Sequence, residues 1–207
     1  MHPNPIFRKS ECEANVEFVR HRSFSNLSIN AEDGPLVSHV PFHLSEDGKS
    51  LEAHLVRSNP IVRALKTGET KAVISVNGGD GYISPDWYEI EDQVPTWNYV
   101  AVHLRGGVRL LPNDALRGVL GRLSAAMEKR LLPKSIWTMD KMTPEALAKM
   151  MRQIAPIAMD VSDIDGTWKL SQNKPDDVRV RAHQGLASTG FGLEYQTIAE
   201  LMKDPPC

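Results

Sequence analysis

Apolar and polar residues alternate through much of the first half of the chain, and a period of two predicts strands. From Leu36 to Leu44, Val40, Phe42 and Leu44 fall on one side and Val37, His39, Pro41 and His43 on the other. Pro41 marks an edge or an interrupted ladder, because proline has no N–H to donate. Residues 18–29 predict a helix end followed by a strand, and Asp33-Gly34 a turn. Glu46 to Lys49 predicts a hairpin turn, leading into a short strand from Leu51 to Val56 that carries His54. Asn59-Pro60 predicts a helix start, with Asn59 capping, Pro60 at the first position, Ile61, Val62 and Leu65 inward, and Gly68 as the stop. Lys71 to Val76 predicts a strand, Asn77 to Gly81 a glycine-rich turn, and Tyr82-Ile83 a strand that stops at Pro85. Trp97 to Leu104 predicts another, with Trp97, Tyr99, Ala101 and His103 on one face. Gly106-Gly107 reads as a turn or bulge before Val108 to Leu111. Many short strands separated by turn signals favour a small β-barrel over a βαβ sheet.

The second half changes period. Leu116, Val119, Leu120, Leu123, Met127 and Leu131 recur at helical spacing and predict an amphipathic helix over 113–131. Thr143-Pro144-Glu145 starts another, with Leu147, Met150, Met151 and Ile154 on its apolar side. Ile157, Met159 and Val161 alternate as a strand would, Asp165-Gly166 reads as a turn, and Trp168 and Leu170 begin a further strand or a structured loop. Two short helices are predicted over 176–186 and 193–202. The chain therefore reads as one domain over 1–207, mainly β, with helical decoration in 113–153 and 176–202.

Composition narrows the function classes. The 207 residues carry 24 Lys+Arg against 26 Asp+Glu, and a net charge of -2 does not describe an electrostatic nucleic-acid binder. Two cysteines, Cys12 and Cys207, form no disulfide framework and fit a reducing compartment. No apolar run reaches the length of a membrane span, and the first residues have no signal-peptide core, so the expectation is a cytoplasmic protein.

Four features could carry chemistry. Gly78, Gly79 and Gly81 either form a tight hairpin or admit a close backbone approach to a cofactor. His39, His43 and His54 could share a face, but no cysteine or well-spaced carboxylate joins them, so no metal site is expected. His39 and His54 instead suit an anionic or heteroaromatic ligand. The stretches Tyr82 to Tyr88 and Val94 to Tyr99 concentrate aromatics among Ser, Thr and Asn, as a planar polar ligand requires, or as a packed barrel end would. Lys169, Ser171, Gln172 and Asn173 could grip a phosphate or ring edge, or form a loop in which Asn173 caps the next helix. Met139, Met142, Met150, Met151 and Met159 read as core filler.

Several of these pieces together resemble one family. Ser38-His39-Val40-Pro41, His54 to Pro60, Tyr82 to Tyr88, Val94 to Tyr99 with Val102-His103, and Gly166 to Asn173 occur in the order found in the PaiB family of FMN-binding negative transcriptional regulators. The resemblance implies an FMN-binding split β-barrel related to pyridoxamine-phosphate-oxidase-like flavoproteins, a homodimer with FMN at the subunit interface, and a cytoplasmic regulator. It implies cofactor contacts from His39, His54, Arg57, Ser84, Thr96 and Asn98, with Lys169 and Gln172 closing the pocket or reaching from the partner subunit. Arg57 and Lys169 would pair with the phosphate, and Trp87, Trp97 and Tyr99 would stack. Three functions stay open: a redox-responsive regulator, a flavin reductase or small oxidoreductase using NAD(P)H, and a cofactor-free dimeric interaction module. No acid or base stands out beyond His39 and His54. Haem is an alternative ligand for such barrels, and DNA binding is implied by the family name without support from a basic recognition helix.

Overall fold

The structure is a computed structural model that describes residues 2–9 and 12–206. Cys207 and the Cys12 side chain, whose reactivity the sequence leaves open, lie outside the described residues. Six strands close into a barrel in the order β1-β2-β3-β6-β5-β4. They are β1 (Phe24–Ile29), β2 (Leu36–Leu44), β3 (Ser50–Val56), β4 (Thr70–Ile83), β5 (Thr96–Leu110) and β6 (Ile154–Lys169). The helices are α1 (Cys12–Arg22), α2 (Pro60–Ala64), α3 (Leu116–Glu128), α4 (Pro144–Met151), α5 (Asp176–Thr189) and α6 (Tyr195–Lys203). Packing divides the chain into two compact units, and β4, β5 and β6 contribute residues to both.

One unit comprises Val19–Ser75 and Leu104–Asp163. In it β1 pairs antiparallel with β2 (Phe24 with Pro41 through Ile29 with Leu36) and with β4 (Asn26 with Ser75 through Ile29 with Ala72). β2 pairs with β3 from Phe42 with Ala53 onward, and β3 pairs with β6 from Ser50 with Asp160 to Val56 with Ile154. Pro41 sits where β2 passes from one ladder to the other, which is the interrupted ladder that its missing N–H requires. Leu27, Val40, Phe42, Leu51, Ala53, Ile74, Leu104 and Ile157 fill the interior. Asn59 caps α2 by accepting from the Ile61 N–H, and Ile61, Val62 and Leu65 are buried as their spacing predicts. α3, flanked by 3-10 turns at 113–115 and 129–131, buries Leu116, Val119 and Leu123, whereas Leu131 is exposed.

The other unit holds the described parts of residues 1–18, 76–103 and 164–207. Its core joins Ile83, Tyr88, Val100, Trp168 and Leu170 to Val178, Ala182 and Leu186 of α5 and Ile198, Ala199 and Met202 of α6. Residues 191–193 lie along β4: Asp80 N–H donates to the Leu193 carbonyl at 2.7 Å and Tyr82 N–H to the Phe191 carbonyl at 3.1 Å.

Two predicted turns are corrected, Asn77–Gly81 and Asp165-Gly166, which run within long strands; Gly106-Gly107 also lies within a strand, where the successive buried positions 106–108 break the alternation as the bulge alternative requires. The glycines that do turn the chain, Gly34 and Gly48, have φ of 112° and 71°, and none of those three segments contains a positive-φ glycine. Their glycines instead permit close contact: a Cβ at Gly79 would lie 2.9 Å from the Glu194 carbonyl oxygen, and one at Gly81 2.9 Å from a Leu186 methyl. Two successive buried positions, Gly78 and Gly79, shift the alternation of β4 by one residue.

Two smaller readings are also corrected. Of the five methionines expected in the core only Met159 is buried, because α4 buries none of its residues and Met150 is exposed. Asn173 does not cap α5, whose N-cap is Pro175 with no side-chain bond.

Candidate functional site

In the barrel unit, the period of two that sends Leu27, Val40 and Phe42 inward sends Phe24, Asn26 and Ser28 of β1 and Val37, His39 and Pro41 of β2 outward. Register sets Asn26 opposite His39, and Asn26 opposite Ser75 on its other side. The Phe24 ring stacks beside His39, with centroids 6.3 Å apart and planes 27° apart. Phe24 and Val37 are each 58% exposed, so this polar row is framed by apolar side chains facing water. In this unit two buried atoms on outward-facing residues, Asn26 Oδ1 and His54 Nδ1, have no hydrogen-bond partner among the described residues. An orphaned buried acceptor or donor is costly and rare, and a ligand edge is one way to satisfy it. Burial alone pushes the His54 imidazole below its ordinary pKa, favouring the neutral ring with one donor and one acceptor nitrogen.

Beside Asn26 on β1, a surface groove of about 580 Å³ is lined by Ser28, Asn30, Lys71, Arg105 and Ser162, with Pro35, Ala72 and Val73 as apolar wall. Lys71 and Arg105 belong to no ion pair among the described residues. The Ser162 hydroxyl donates to the Arg105 carbonyl at 3.1 Å. Two unneutralised cations with hydroxyl and amide neighbours suit a phosphate or carboxylate. Sequence reasoning missed Asn26, Ser28, Lys71 and Arg105. The available signal was their place at outward positions of strands, where a polar residue costs nothing and so attracts no notice.

Arg57 is held by the chain itself. Its Nε donates to the Arg152 carbonyl at 3.0 Å and its Nη2 to the Ile154 carbonyl at 2.6 Å and Asn113 Oδ1 at 3.2 Å. It tethers the end of β3 to the segment between α4 and β6, and no carboxylate among the described residues pairs with it.

The other predicted residues belong to the second unit. Lys169 Nζ donates to Thr96 Oγ1 and, at 2.7 Å, to the Trp97 carbonyl, so these three come together as expected. Burial lowers the Lys169 pKa. Tyr99 faces outward two residues beyond Trp97, and burial raises its phenol pKa. Asn98 points the opposite way and is fully buried; its Nδ2 donates to Ser171 Oγ at 2.9 Å and to Met202 Sδ at 3.3 Å. Gln172 braces its own loop, accepting from Leu170 N–H at 2.7 Å and donating to the Trp168 carbonyl. Ser84 precedes the 3-10 turn 85–88 without capping it by its side chain, and Trp87 lies over Gly185 of α5. The eleven predicted residues thus divide between the units: His39, His54 and Arg57 in the barrel unit, the remaining eight in the other.

Comparison with known proteins bears on the family and the fold. The family described as "Putative FMN-binding domain" matches residues 1–163. The chain is 30% identical over 200 residues to the Bacillus subtilis protein named "Protease synthase and sporulation protein PAI 2", covering 96% of this chain and 94% of that one. Among solved structures it resembles the FAD and haem binding protein from Mycobacterium smegmatis, with a TM-score of 0.59 at 16% identity over 90% of this chain and 82% of that one. It also resembles the flavocytochrome Anf3 from Azotobacter vinelandii, with a TM-score of 0.56 at 13% identity over 93% and 81%. These likenesses establish the split-barrel fold. Among the described residues no helix is long and apolar enough to cross a membrane.

Proposed function

The chain belongs to the PaiB family of FMN-binding split-barrel proteins, and from that premise we propose that it binds FMN and acts as a redox-responsive regulatory flavoprotein. The observation that carries the reading is the pair of orphaned buried atoms, Asn26 Oδ1 and His54 Nδ1, on the outward side of the barrel strands. The pyrimidine edge of an isoalloxazine alternates donors and acceptors and offers a partner to either. His39 with Phe24 offers a ring stack for the same planar system. Lys71 and Arg105 supply the charge a phosphate wants, and Arg57, with its uncompensated positive charge, is the third candidate. Bound FMN would supply the electron-transfer chemistry, with this chain orienting it and tuning its electrostatics. The exposed Phe24 and Val37 favour a second copy of the chain covering this face, making the active species a homodimer.

Regulation through a partner or through the flavin's redox state fits better than direct DNA contact by α3. Three cations of the 113–131 segment are engaged within the fold: Arg117 with Asp140, Arg122 with Glu52 at 2.7 Å, and Arg130 with the carbonyls of Arg20 and His21 that end α1. The decisive experiment is an absorption spectrum of purified protein before and after incubation with FMN and desalting. Retained oxidised-flavin bands support the reading, and a colourless protein overturns it in favour of a cofactor-free module. Bleaching by NADH or NADPH faster than free FMN would move the assignment to a flavin reductase.

A further inference from the structure

In the unit that holds residues 76–103 and 164–207, three neighbouring strands carry Tyr82 (β4), Trp97 (β5) and Lys169 (β6), each next to a buried residue of its strand and itself turned outward. Strands lie about 4.8 Å apart, so the row extends over about 10 Å. Phe191 is laid on it: its ring stacks on Tyr82 at 5.3 Å and 18°, and meets Trp97 edge-on at 5.6 Å and 89°. Gly192, at φ 142°, lets this segment approach β4, because a Cβ there would collide with the Asp80 carbonyl. The platform faces water, with Trp97 43%, Phe191 58% and Leu193 62% exposed.

The cationic end is built differently from a solvated lysine. Lys169 is held by two neutral acceptors, Thr96 Oγ1 and the Trp97 carbonyl, and pairs with no carboxylate among the described residues. One of its three ammonium donors remains for a ligand. His2 is anchored at this end by its backbone N–H, which donates to Thr167 Oγ1 at 3.2 Å two residues before Lys169, and burial followed by the Lys169 charge lowers its pKa. Its Nδ1 accepts from the Asn4 N–H at 3.1 Å, which leaves Nε2 as the donor nitrogen of the neutral ring.

We infer that the Tyr82–Trp97–Lys169 row, with Phe191 and His2, binds a planar aromatic ring that carries an anionic group, and that a nucleoside monophosphate is the class it takes. The ring stacks on Trp97 and meets Phe191 edge-on, and the anion meets Lys169 and His2. Base–aromatic stacking tolerates any ring with a π-face, and a desolvated ammonium discriminates charged from neutral ligands. The site is separate from the flavin assignment and does not depend on it.

The test is calorimetric titration of flavin-free protein with AMP, adenosine, inorganic phosphate and benzoate. AMP is expected to saturate one site per chain, with adenosine and inorganic phosphate at least ~10-fold weaker. Trp97→Phe should retain binding and Trp97→Ala lose it. Lys169→Met should weaken AMP ~10-fold or more while leaving adenosine unchanged. Benzoate binding as tightly as AMP would support the ring-plus-anion site and name aromatic acids as its source. Absence of saturable binding by AMP and benzoate, or equal AMP affinity in a folded Lys169→Met protein, would overturn the inference. Stoichiometric displacement of AMP by FMN would overturn it as a separate site, whether or not FMN binding itself succeeds.

Discussion

Asn98 and Ser171 are joined by a fully buried hydrogen bond of 2.9 Å across 73 residues of chain. Ser171 is held at φ 64°, a conformation that costs a non-glycine residue energy, and its hydroxyl also meets the Tyr88 hydroxyl at 3.1 Å. Three of the stretches that carry the family resemblance, around Tyr88, Asn98 and Ser171, therefore meet in one polar knot inside the unit that holds α5 and α6.

Removing the hydroxyl should strand two buried groups at once. Ser171→Ala leaves Asn98 Nδ2 with only a methionine sulfur at 3.3 Å and Tyr88 without its bond, so the expected loss is about 1–3 kcal/mol of unfolding free energy. Urea denaturation measures it. A midpoint unchanged from the parent protein would mean that water replaces the hydroxyl and the knot is not dry.

Gly79 distinguishes a turn from a close approach. A Cβ there would press on backbone carbonyls of Leu193 and Glu194, atoms that cannot swing aside. Gly79→Ala should cost about 1–3 kcal/mol, with thermal melting as the measurement. Tolerance of alanine would show that the 191–193 segment can lift from β4.

The pH dependence of stability should carry the mark of His54. Its folded pKa lies below the unfolded 6.5, so between those values the unfolded chain binds more protons and stability falls as pH falls. Above 6.5 both states are neutral and the contribution is flat. His54→Gln should shallow the decline seen between neutral and mildly acid pH in flavin-free protein. An identical pH profile in the variant would assign the decline to other groups.

Charge in the barrel groove should govern flavin retention. Arg105 has no ion pair among the described residues, so Arg105→Glu should leave the melting temperature nearly unchanged. It should weaken FMN about tenfold or more and reduce the salt dependence of binding. Fluorescence titration with FMN reads both, and unaltered affinity would remove the groove from the phosphate site.

Much of the barrel was legible in local pattern. β2, β3 and the capped start of α2 stand where alternation and Asn59-Pro60 put them, because inward and outward positions of a short strand are decided by burial alone. The lengths of β4, β5 and β6 were not legible. A glycine in sequence signals either a positive φ or a missing Cβ, and only the neighbours of Gly79, Gly106 and Gly166 show that the second applies. Asn98 is expected as a cofactor contact, yet the strand's own period sends it inward while Trp97 and Tyr99 go out.

The sequence by itself determined the alternation that makes a strand, the helical repeat of 113–131, the balance of charge, and the motifs that identify the family. These are properties of a residue and its near neighbours along the chain. Only the tertiary structure decided that Asn26 faces His39, that Lys71 and Arg105 share a groove, and that Phe191 lies on Tyr82. Strand register and the closing of a barrel bring together residues far apart in sequence, and no local propensity encodes which polar atoms will then be left without a partner.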